Sequence, residues 1–421
     1  MTSATSTEIS SRADSAVRAG VPPLVAPGPA LSAARMARFS RQLLLPGFGE
    51  LAQRRLQAAR VLVVGAGGLG SAAVPYLAGA GVGTIGIADP DVVELSNLHR
   101  QTAHSMSDIG RRKVDSLADT IASIDPEITV VRHPVRLNSG NILGILADYD
   151  LIVDGSDNFP TRYLTNDAAT LAGKPLVWGA ILRYSGQASV AWAAYGPTYR
   201  DLFPTPPAAD EVLSCELGGV LPGVCAAIGA ILATEVVKVI TGTGEPLIGR
   251  VTTFDALTGR YREISYRAIP DAAPVTTLID YEQFCGVSPA PAAATDTPAV
   301  APAATAASMA AAAEKLPTAI GPGQLAELLQ AGTAVQLIDV REPIEAQISR
   351  IPNDELIPLG DLLARSGSVR SDIPVVFYCH VGPRSLQAVR MMRSLGHDNV
   401  SYLAGGVNAY AILDPSVGSR Y

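Results

Sequence analysis

Cysteine is scarce in this chain. Its 421 residues hold four, Cys215, Cys225, Cys285 and Cys379. None forms a Cys-x-x-Cys pair and the five histidines do not cluster, so the ligand spacing of a tetrahedral zinc site is missing. Thiols this sparse exclude a disulfide scaffold and suit a reducing cytoplasm. Basic runs are missing too: the net charge is −7 and no block of lysine or arginine occurs. That argues against nucleic acid or an anionic membrane surface as the main partner. The opening segment MTSATSTEISSRADS carries Glu8, Arg12 and Asp14 and no apolar core, unlike a secretory signal. One uncharged stretch, Leu217 to Thr234, approaches spanning length. Its Pro222 and glycines, with Glu235 and Lys238 close behind, predict a buried helix with a glycine-rich entry rather than a membrane span.

Apolar residues make up 48% of the chain, enough for sizeable cores, and the length favours two domains. Residues 1–30 are small, polar and proline-rich and read as a loose tail. Residues 288–316 are almost all Ala, Pro, Ser and Thr and read as a semi-extended linker, whose end from Ala304 to Lys315 could turn helical. These breaks leave a larger body, 31–287, and a smaller one, 317–421. Both alternate strands and helices. ARVLVVGAG, GTIGIADPD, DLIVDGSDN and KPLVWGAI read as strands of a parallel α/β sheet, and SAAVPYLAGAG as a helix with Pro75 in its first turns. In the smaller body AVQLIDVRE and IPVVFYCH read as strands, and SLQAVRMMRSLG as a helix ending at Gly396.

Gly65, Gly67, Gly68 and Gly70 form G-x-G-G-x-G between a strand and a helix, which lets backbone and helix N-terminus approach phosphates. Asp89 ends the next strand, where an acid can bond a ribose hydroxyl. A dehydrogenase using NAD would share these features. SNLHRQ at 96–101, Lys113 and Asp157–Asn158 at the end of a strand fit another chemistry better. Adenylation of a carboxylate needs cations and a divalent metal where pyrophosphate departs. Arg100 and Lys113 are suitable cations and Asp157 a suitable Mg²⁺ ligand.

RFSRQ, GAGGLG, ADPDVVELSNLHRQ, Lys113 and DGSDN together resemble the ubiquitin-activating-enzyme-like superfamily. Within it they are similar to the bacterial enzymes that adenylate the small subunit of molybdopterin synthase or the thiazole sulfur carrier. The resemblance covers about 31–287 and implies a Rossmann-like, nucleotide-binding adenylating domain. It implies a homodimer in which Arg41 reaches the partner's ATP site. It also implies that Gly68, Asp89, Ser96, Asn97, Leu98, His99, Arg100, Lys113, Asp157 and Asn158 lie around ATP and its Mg²⁺. The implied substrate is the C-terminal Gly-Gly carboxylate of a ubiquitin-like sulfur carrier. Many relatives hold zinc with two Cys-x-x-Cys pairs; here those regions read GPTYRDLFP and SYRAIPDAA, so no zinc is expected. Cys215, before the glycine-rich helix entry, matches a cysteine that relatives carry on a crossover loop, and a helix N-terminus would favour its thiolate. Cys225 reads as core, and Cys285 as an ordinary thiol.

The stretch YCHVGPRS places Cys379 and Arg384 at the ends of a six-residue loop after a strand. Such a loop aims backbone N–H groups at the sulfur. Phosphatases of the arginine-loop type need one residue more, so the loop suits a persulfide. LIDVREPIEAQISRIPNDELIPL, with Asp339 and Arg341, and LAGGVNAY resemble the rhodanese domain. Asp339 and Arg341 read as scaffold and His380 as a solvent-facing side chain. The whole chain therefore resembles a fused adenylyltransferase–sulfurtransferase: an acyl adenylate is an electrophile and a persulfide on Cys379 the nucleophile that meets it. A cysteine desulfurase or thiosulfate would be the donor. Two rival readings stay open, a dehydrogenase or adenylating enzyme joined to a phosphatase, and a carrier-docking scaffold.

Overall fold

A computed structural model describes residues 21–207, 218–286 and 316–418. The chain divides into two compact units, Met1–Ala292 and Ala293–Tyr421. In the first, the apolar runs become strands β1 (Arg60–Val64), β2 (Thr84–Ala88), β3 (Thr129–His133), β4 (Leu151–Asp154) and β5 (Leu176–Leu182). They pair in parallel in the order β3-β2-β1-β4-β5. Every residue of β2 and β4 is buried, as strands covered on both faces should be. The order reverses at β1, and ligands of such sheets bind beyond the strand ends at that point.

The sheet then continues antiparallel through β6 (Ser185–Ala191), β7 (Arg250–Asp255) and β8 (Arg260–Ser265). Sequence patterning predicts only the parallel part of this sheet. The β5–β6 hairpin turns on Arg183 and Tyr184, and Arg183 holds φ 54° without being glycine, so the usual Asn-Gly signal is absent. Strand β8 is exposed along its whole length, and Arg260, Arg262 and Glu263 blunt it as an edge.

The apolar stretch forms helix Pro222–Thr241, long and apolar enough to cross a membrane by length and composition alone. Here it packs on helix Gly68–Ala80 and on β5 and β6. Val224, Ile228, Leu232, Val236 and Val239 enter the main core. Its buried Glu235 pairs with Lys238 and accepts the Leu247 N–H at 2.8 Å. It is a core helix of the first unit.

Two expectations need correction. Pro75 lies in the middle of helix Gly68–Ala80, not in its first turns, where it has no N–H to donate along the helix. Residues 21–30 are not a loose tail. Val21, Leu24 and Val25 pack against the core, Leu24 N–H donates to Val239 O at 3.1 Å, and Gly28 N–H to Arg54 O at 3.2 Å. Residues 1–20, and the suggested helix at 304–315, lie outside the described residues.

The second unit is a five-stranded parallel sheet, ordered β11-β10-β12-β13-β9. Its strands are β9 (Ala319–Ile320), β10 (Gln336–Asp339), β11 (Glu355–Leu356), β12 (Val375–Tyr378) and β13 (Val400–Leu403). Asp339 and Arg341, both 0% exposed, form a buried pair at the end of β10. Arg341 Nε donates to Asp339 Oδ1 at 2.9 Å and Nη2 to Oδ2 at 2.7 Å. The same guanidinium donates to Ser349 O at 2.6 Å and Glu345 O at 3.4 Å. It thereby ties β10 to the segment 345–349. Arg341→Met should leave Asp339 as an uncompensated buried charge and cost about 3–5 kcal/mol. The check is the urea midpoint of the second unit in the full chain, which should fall; an unchanged midpoint would show the pair to be dispensable.

Candidate active sites

A cleft of about 610 Å³ opens beyond the carboxyl ends of β1, β2 and β4. Gly67 caps helix Gly68–Ala80, so the helix N-terminus faces this space. Gly65 has φ 90°, and a Cβ there would meet Gly155 O at 3.1 Å. Only glycine allows that backbone crossing.

The loop between them is held at Ala66 from both sides. Its N–H donates to Asp89 Oδ2 at 2.7 Å, and Asp89 Oδ1 accepts the Asp91 N–H at 2.8 Å. Its carbonyl lies 3.0 Å from His104 Nε2, and His104 Nδ1 lies 2.8 Å from Ser116 Oγ. A carbonyl can only accept, so Nε2 carries the hydrogen and Nδ1 accepts from the serine. Burial lowers the His104 pKa, reinforcing the neutral ring. Burial raises the Asp89 pKa, with Lys113 and the two N–H groups opposing it.

The residues anticipated from sequence divide cleanly. Gly65, Gly67, Gly68, Asp89, Asn97 and Arg100 line the cleft, as do Lys113, Asp157 and Asn158. Lys113 Nζ is held by Asp91 at 2.9 Å, and Arg100 donates to Ser96 O at 3.0 Å. Asn158 caps helix Phe159–Ala172 through Thr161 N–H at 2.9 Å, leaving Asp157 exposed on the wall. Gly70, Ser96, Leu98 and His99 are not wall residues. A side-chain carbon at Gly70 would overlap Gly65 O, so this glycine serves the close packing of helix on loop. In SNLHRQ the chain turns as a short 3₁₀ element at Leu95–Asn97. Asn97, Arg100 and Gln101 therefore face inward while Ser96, Leu98 and His99 do not. Arg41 sits exposed in helix Ser40–Leu43 and is not among the residues of the cleft wall.

Asp91, Glu94, Gln101 and Arg136 also line the wall and were not anticipated. His104 was missed as well. A position check at the strand ends would have raised Asp91 and Arg136; nothing in the pattern around His104 distinguishes it from a core histidine. A second cavity, about 400 Å³, shares Asp157 and Ile181 with the cleft and runs over β5–β8 past Gln187, Thr253, Arg260 and Arg262. Cys225 is buried against the loop, its Sγ 3.0 Å from where a Gly68 side chain would start. Burial raises the Cys285 thiol to about 11. Cys215 lies outside the described residues. Among the described residues no group of three His, Cys, Asp or Glu side chains is placed to hold a metal.

In the second unit Cys379 directly follows β12 and is fully buried. Gly382, at φ 120°, donates its N–H to Cys379 Sγ at 3.1 Å, and Ser385 Oγ lies 3.5 Å from the same sulfur. The LAGGVNAY stretch opens helix Gly406–Leu413, whose Val407 and Asn408 N–H groups donate to Cys379 O and His380 O at 2.8 and 3.1 Å. The sulfur cradle is thus held from behind by a helix N-terminus. His380 is buried at 7% exposure, which corrects the solvent-facing expectation: its loop is pinned inward by Asn408. Arg384 does not stand over the sulfur alone. Its two terminal nitrogens donate to both oxygens of Glu345 at 2.7 and 2.6 Å, a partner the sequence did not reveal.

The Ala66 clamp makes a test. His104→Ala removes both hydrogen bonds of the ring, each worth about 1 kcal/mol, and should raise the KM for ATP several-fold. A folded-state pKa below the ordinary histidine value means stability is present above about pH 6.5 and is lost as pH falls below it. Wild type should therefore lose more stability than His104→Gln between about pH 6.5 and 5. Equal urea-midpoint profiles would contradict the buried neutral ring.

Comparison with known proteins agrees with the two folds. The ThiF family model matches residues 39–273 and the rhodanese-like domain model residues 321–412. The "Probable adenylyltransferase/sulfurtransferase MoeZ" of Mycobacterium tuberculosis is 46% identical over 399 residues, covering 93% of this chain and 96% of the relative. The "Adenylyltransferase and sulfurtransferase MOCS3" of Mus musculus is 38% identical, covering 93% and 88%. The "Sulfur carrier protein adenylyltransferase" of Thermus thermophilus is 45% identical over 261 residues, covering 59% of this chain and 96% of its own length. A solved structure of Escherichia coli MccB with ATP superposes with a TM-score of 0.51 at 21% identity, over 56% of this chain and 73% of that one, which shows the fold alone. By its matched domains and full-length relatives, this chain belongs to the ThiF family, in the branch that carries a rhodanese-like domain behind the adenylating one.

Proposed function

We propose that this chain joins two half-reactions: ATP-dependent adenylation of a sulfur carrier's C-terminal carboxylate, then sulfur transfer to that carbon from a persulfide on Cys379. One observation carries the reading. A single chain holds both a cation-lined nucleotide cleft and a cysteine sulfur that already accepts an N–H from its own loop.

In the first half-reaction the carrier carboxylate attacks the α-phosphorus of ATP and pyrophosphate leaves. Arg100 and Lys113 are placed to neutralise charge that develops there. The wall carries three cations, Arg100, Lys113 and Arg136, against four carboxylates, Asp89, Asp91, Glu94 and Asp157. A polyphosphate therefore needs a cation brought with it. Asp157 would hold Mg²⁺ together with phosphate oxygens and water, and the ion would offset the departing charge. The neighbouring cavity over β5–β8 suits a Gly-Gly tail, which would end beside the nucleotide because both spaces share Asp157 and Ile181.

In the second half-reaction the persulfide of Cys379 attacks the acyl carbon, AMP leaves, and an acyl disulfide forms. A second thiolate attacking the cysteine-side sulfur releases the thiocarboxylate and leaves a disulfide, which an external thiol reduces. Cys215 is the candidate for that thiolate by family resemblance. The phosphatase alternative needs Arg384 free for phosphate, whereas Glu345 occupies its guanidinium. A reducing cytoplasm suits persulfide chemistry.

Structural zinc is not required in this reading. The first of the segments that hold it in relatives, GPTYRDLFP, is tied here by packing. Tyr199 stacks edge-on against Tyr163 and Trp178. Arg200 makes two 2.7 Å bonds to Asp167, which also accepts from Tyr281 Oη at 2.7 Å. The chain is proposed to act as a homodimer, with Arg41 completing the partner's site. Met36 and Leu51 on the flanking helices and Leu44 and Leu45 in the turn between them stand exposed, an apolar surface suited to burial against a second copy.

Cys379→Ala should keep wild-type ATP–pyrophosphate exchange and form no thiocarboxylate; Asp157→Ala should lose exchange about a hundredfold or more and keep thiosulfate sulfurtransfer. Loss of both activities in either folded variant would refute two separate sites. Arg41→Ala and Lys113→Ala subunits, each inactive alone, should complement on mixing. Each mixed dimer then has one intact site, so an equal mixture regains about a quarter of wild-type exchange. No recovery would remove the cross-subunit role.

A further inference from the structure

The sulfur cradle carries one built-in cation, and the structure shows it already neutralised. Arg384 and Glu345 form a two-pronged pair at 2.7 and 2.6 Å, with side chains only 10% and 18% exposed. The carboxylate is itself immobilised. Glu345 Oε2 accepts the Glu342 N–H at 3.0 Å, and the Glu345 carbonyl accepts from Arg341, the residue locked to Asp339. Paired and held in this way, the guanidinium contributes a dipole to the loop instead of a net positive charge.

That matters because donors differ in charge. Thiosulfate is a dianion. When it loads Cys379, the thiolate attacks the outer sulfur, a Cys379 S–S bond forms, the thiosulfate S–S bond breaks, and sulfite leaves with two negative charges. Nucleophile and donor bring three negative charges together. A free cation at the loop would favour that encounter; a cancelled one does not. A persulfide on another protein's cysteine delivers its outer sulfur with a single charge, so the cancellation penalises it less.

We propose that Glu345 is a specificity-determining residue that turns the Cys379 cradle away from small dianionic sulfur donors and toward protein-bound persulfide. This rests on the sulfurtransferase reading of Cys379. Glu345 acts through Arg384 and does not itself touch the transferred sulfur.

The test uses the full-length chain and its Glu345→Gln variant, which keeps the size and one accepting oxygen and removes the charge. Thiocyanate formation from thiosulfate and cyanide is measured at several thiosulfate concentrations. In parallel, Cys379 persulfide loading from a cysteine desulfurase with cysteine is followed by intact mass. Glu345→Gln should lower the KM for thiosulfate about tenfold and raise the thiosulfate-to-desulfurase efficiency ratio about as much, since freed charge favours the dianion. The gain should shrink as salt rises, which a merely structural change would not show. In Glu345→Gln/Arg384→Gln the gain should vanish. An unchanged or raised KM in a folded Glu345→Gln variant, or a gain insensitive to salt or to loss of Arg384, would overturn the proposal. Absence of any Cys379 persulfide in wild type from both donors would instead overturn the sulfurtransferase reading beneath it.

Discussion

The nucleotide cleft depends on one residue whose side chain does nothing. Ala66 has its N–H held by Asp89 and its carbonyl by His104, and between them the glycine loop has no freedom to rotate. One side of the cleft is positioned from that loop. Gly67 starts the helix, Gly70 lies beneath Gly65, and Asp89 carries the clamp onward to Asp91, which holds Lys113. A phosphate-binding loop must present several N–H groups in one direction, and an unclamped peptide could flip and withdraw one. The cost is a buried carboxylate and a buried imidazole. Burial pushes the Asp89 pKa up and the His104 pKa down; Asp89 offsets that cost through two backbone N–H groups, and His104 through Ala66 O and Ser116.

Pre-pairing of cations recurs in both units. Lys113 rests on Asp91, Arg200 on Asp167, Arg341 on Asp339 and Arg384 on Glu345. The meaning differs with depth. Arg341 and Asp339 are wholly buried, and their pairing is what makes burial tolerable. Asp91 is largely exposed, so an arriving phosphate can compete for Lys113. Arg384 lies between these cases, and the immobilised Glu345 makes its pairing harder to exchange.

Much of this was legible in the sequence because backbone chemistry restricts residue choice. GAGGLG could be read since the Gly65–Gly155 crossing and the covered Gly70 admit no side chain. The cysteine loop could be read since Gly382 sits where other residues are strained. Inward and outward positions within SNLHRQ were less legible, because a 3₁₀ turn selects faces that a linear motif does not mark. The antiparallel half of the sheet was not legible at all: its hairpin turns on Arg183 and Tyr184. Partners contributed from distant segments were also hidden. Nothing near YCHVGPRS announces Glu345, thirty-nine residues before Arg384, and nothing near GAGGLG announces His104.

In the proposed reaction one chain makes an electrophile at the nucleotide cleft and supplies its nucleophile from Cys379. The most direct measurement follows a sulfur atom. The chain is loaded with isotopically labelled sulfane sulfur, freed of excess donor, and given ATP, Mg²⁺ and a Gly-Gly-tailed carrier. The carrier's C-terminus is then examined by intact mass. The account predicts a labelled thiocarboxylate whose formation needs ATP and matches loss of label from Cys379. Label that stays on Cys379 while AMP is released would contradict it, as would a labelled carrier formed without ATP.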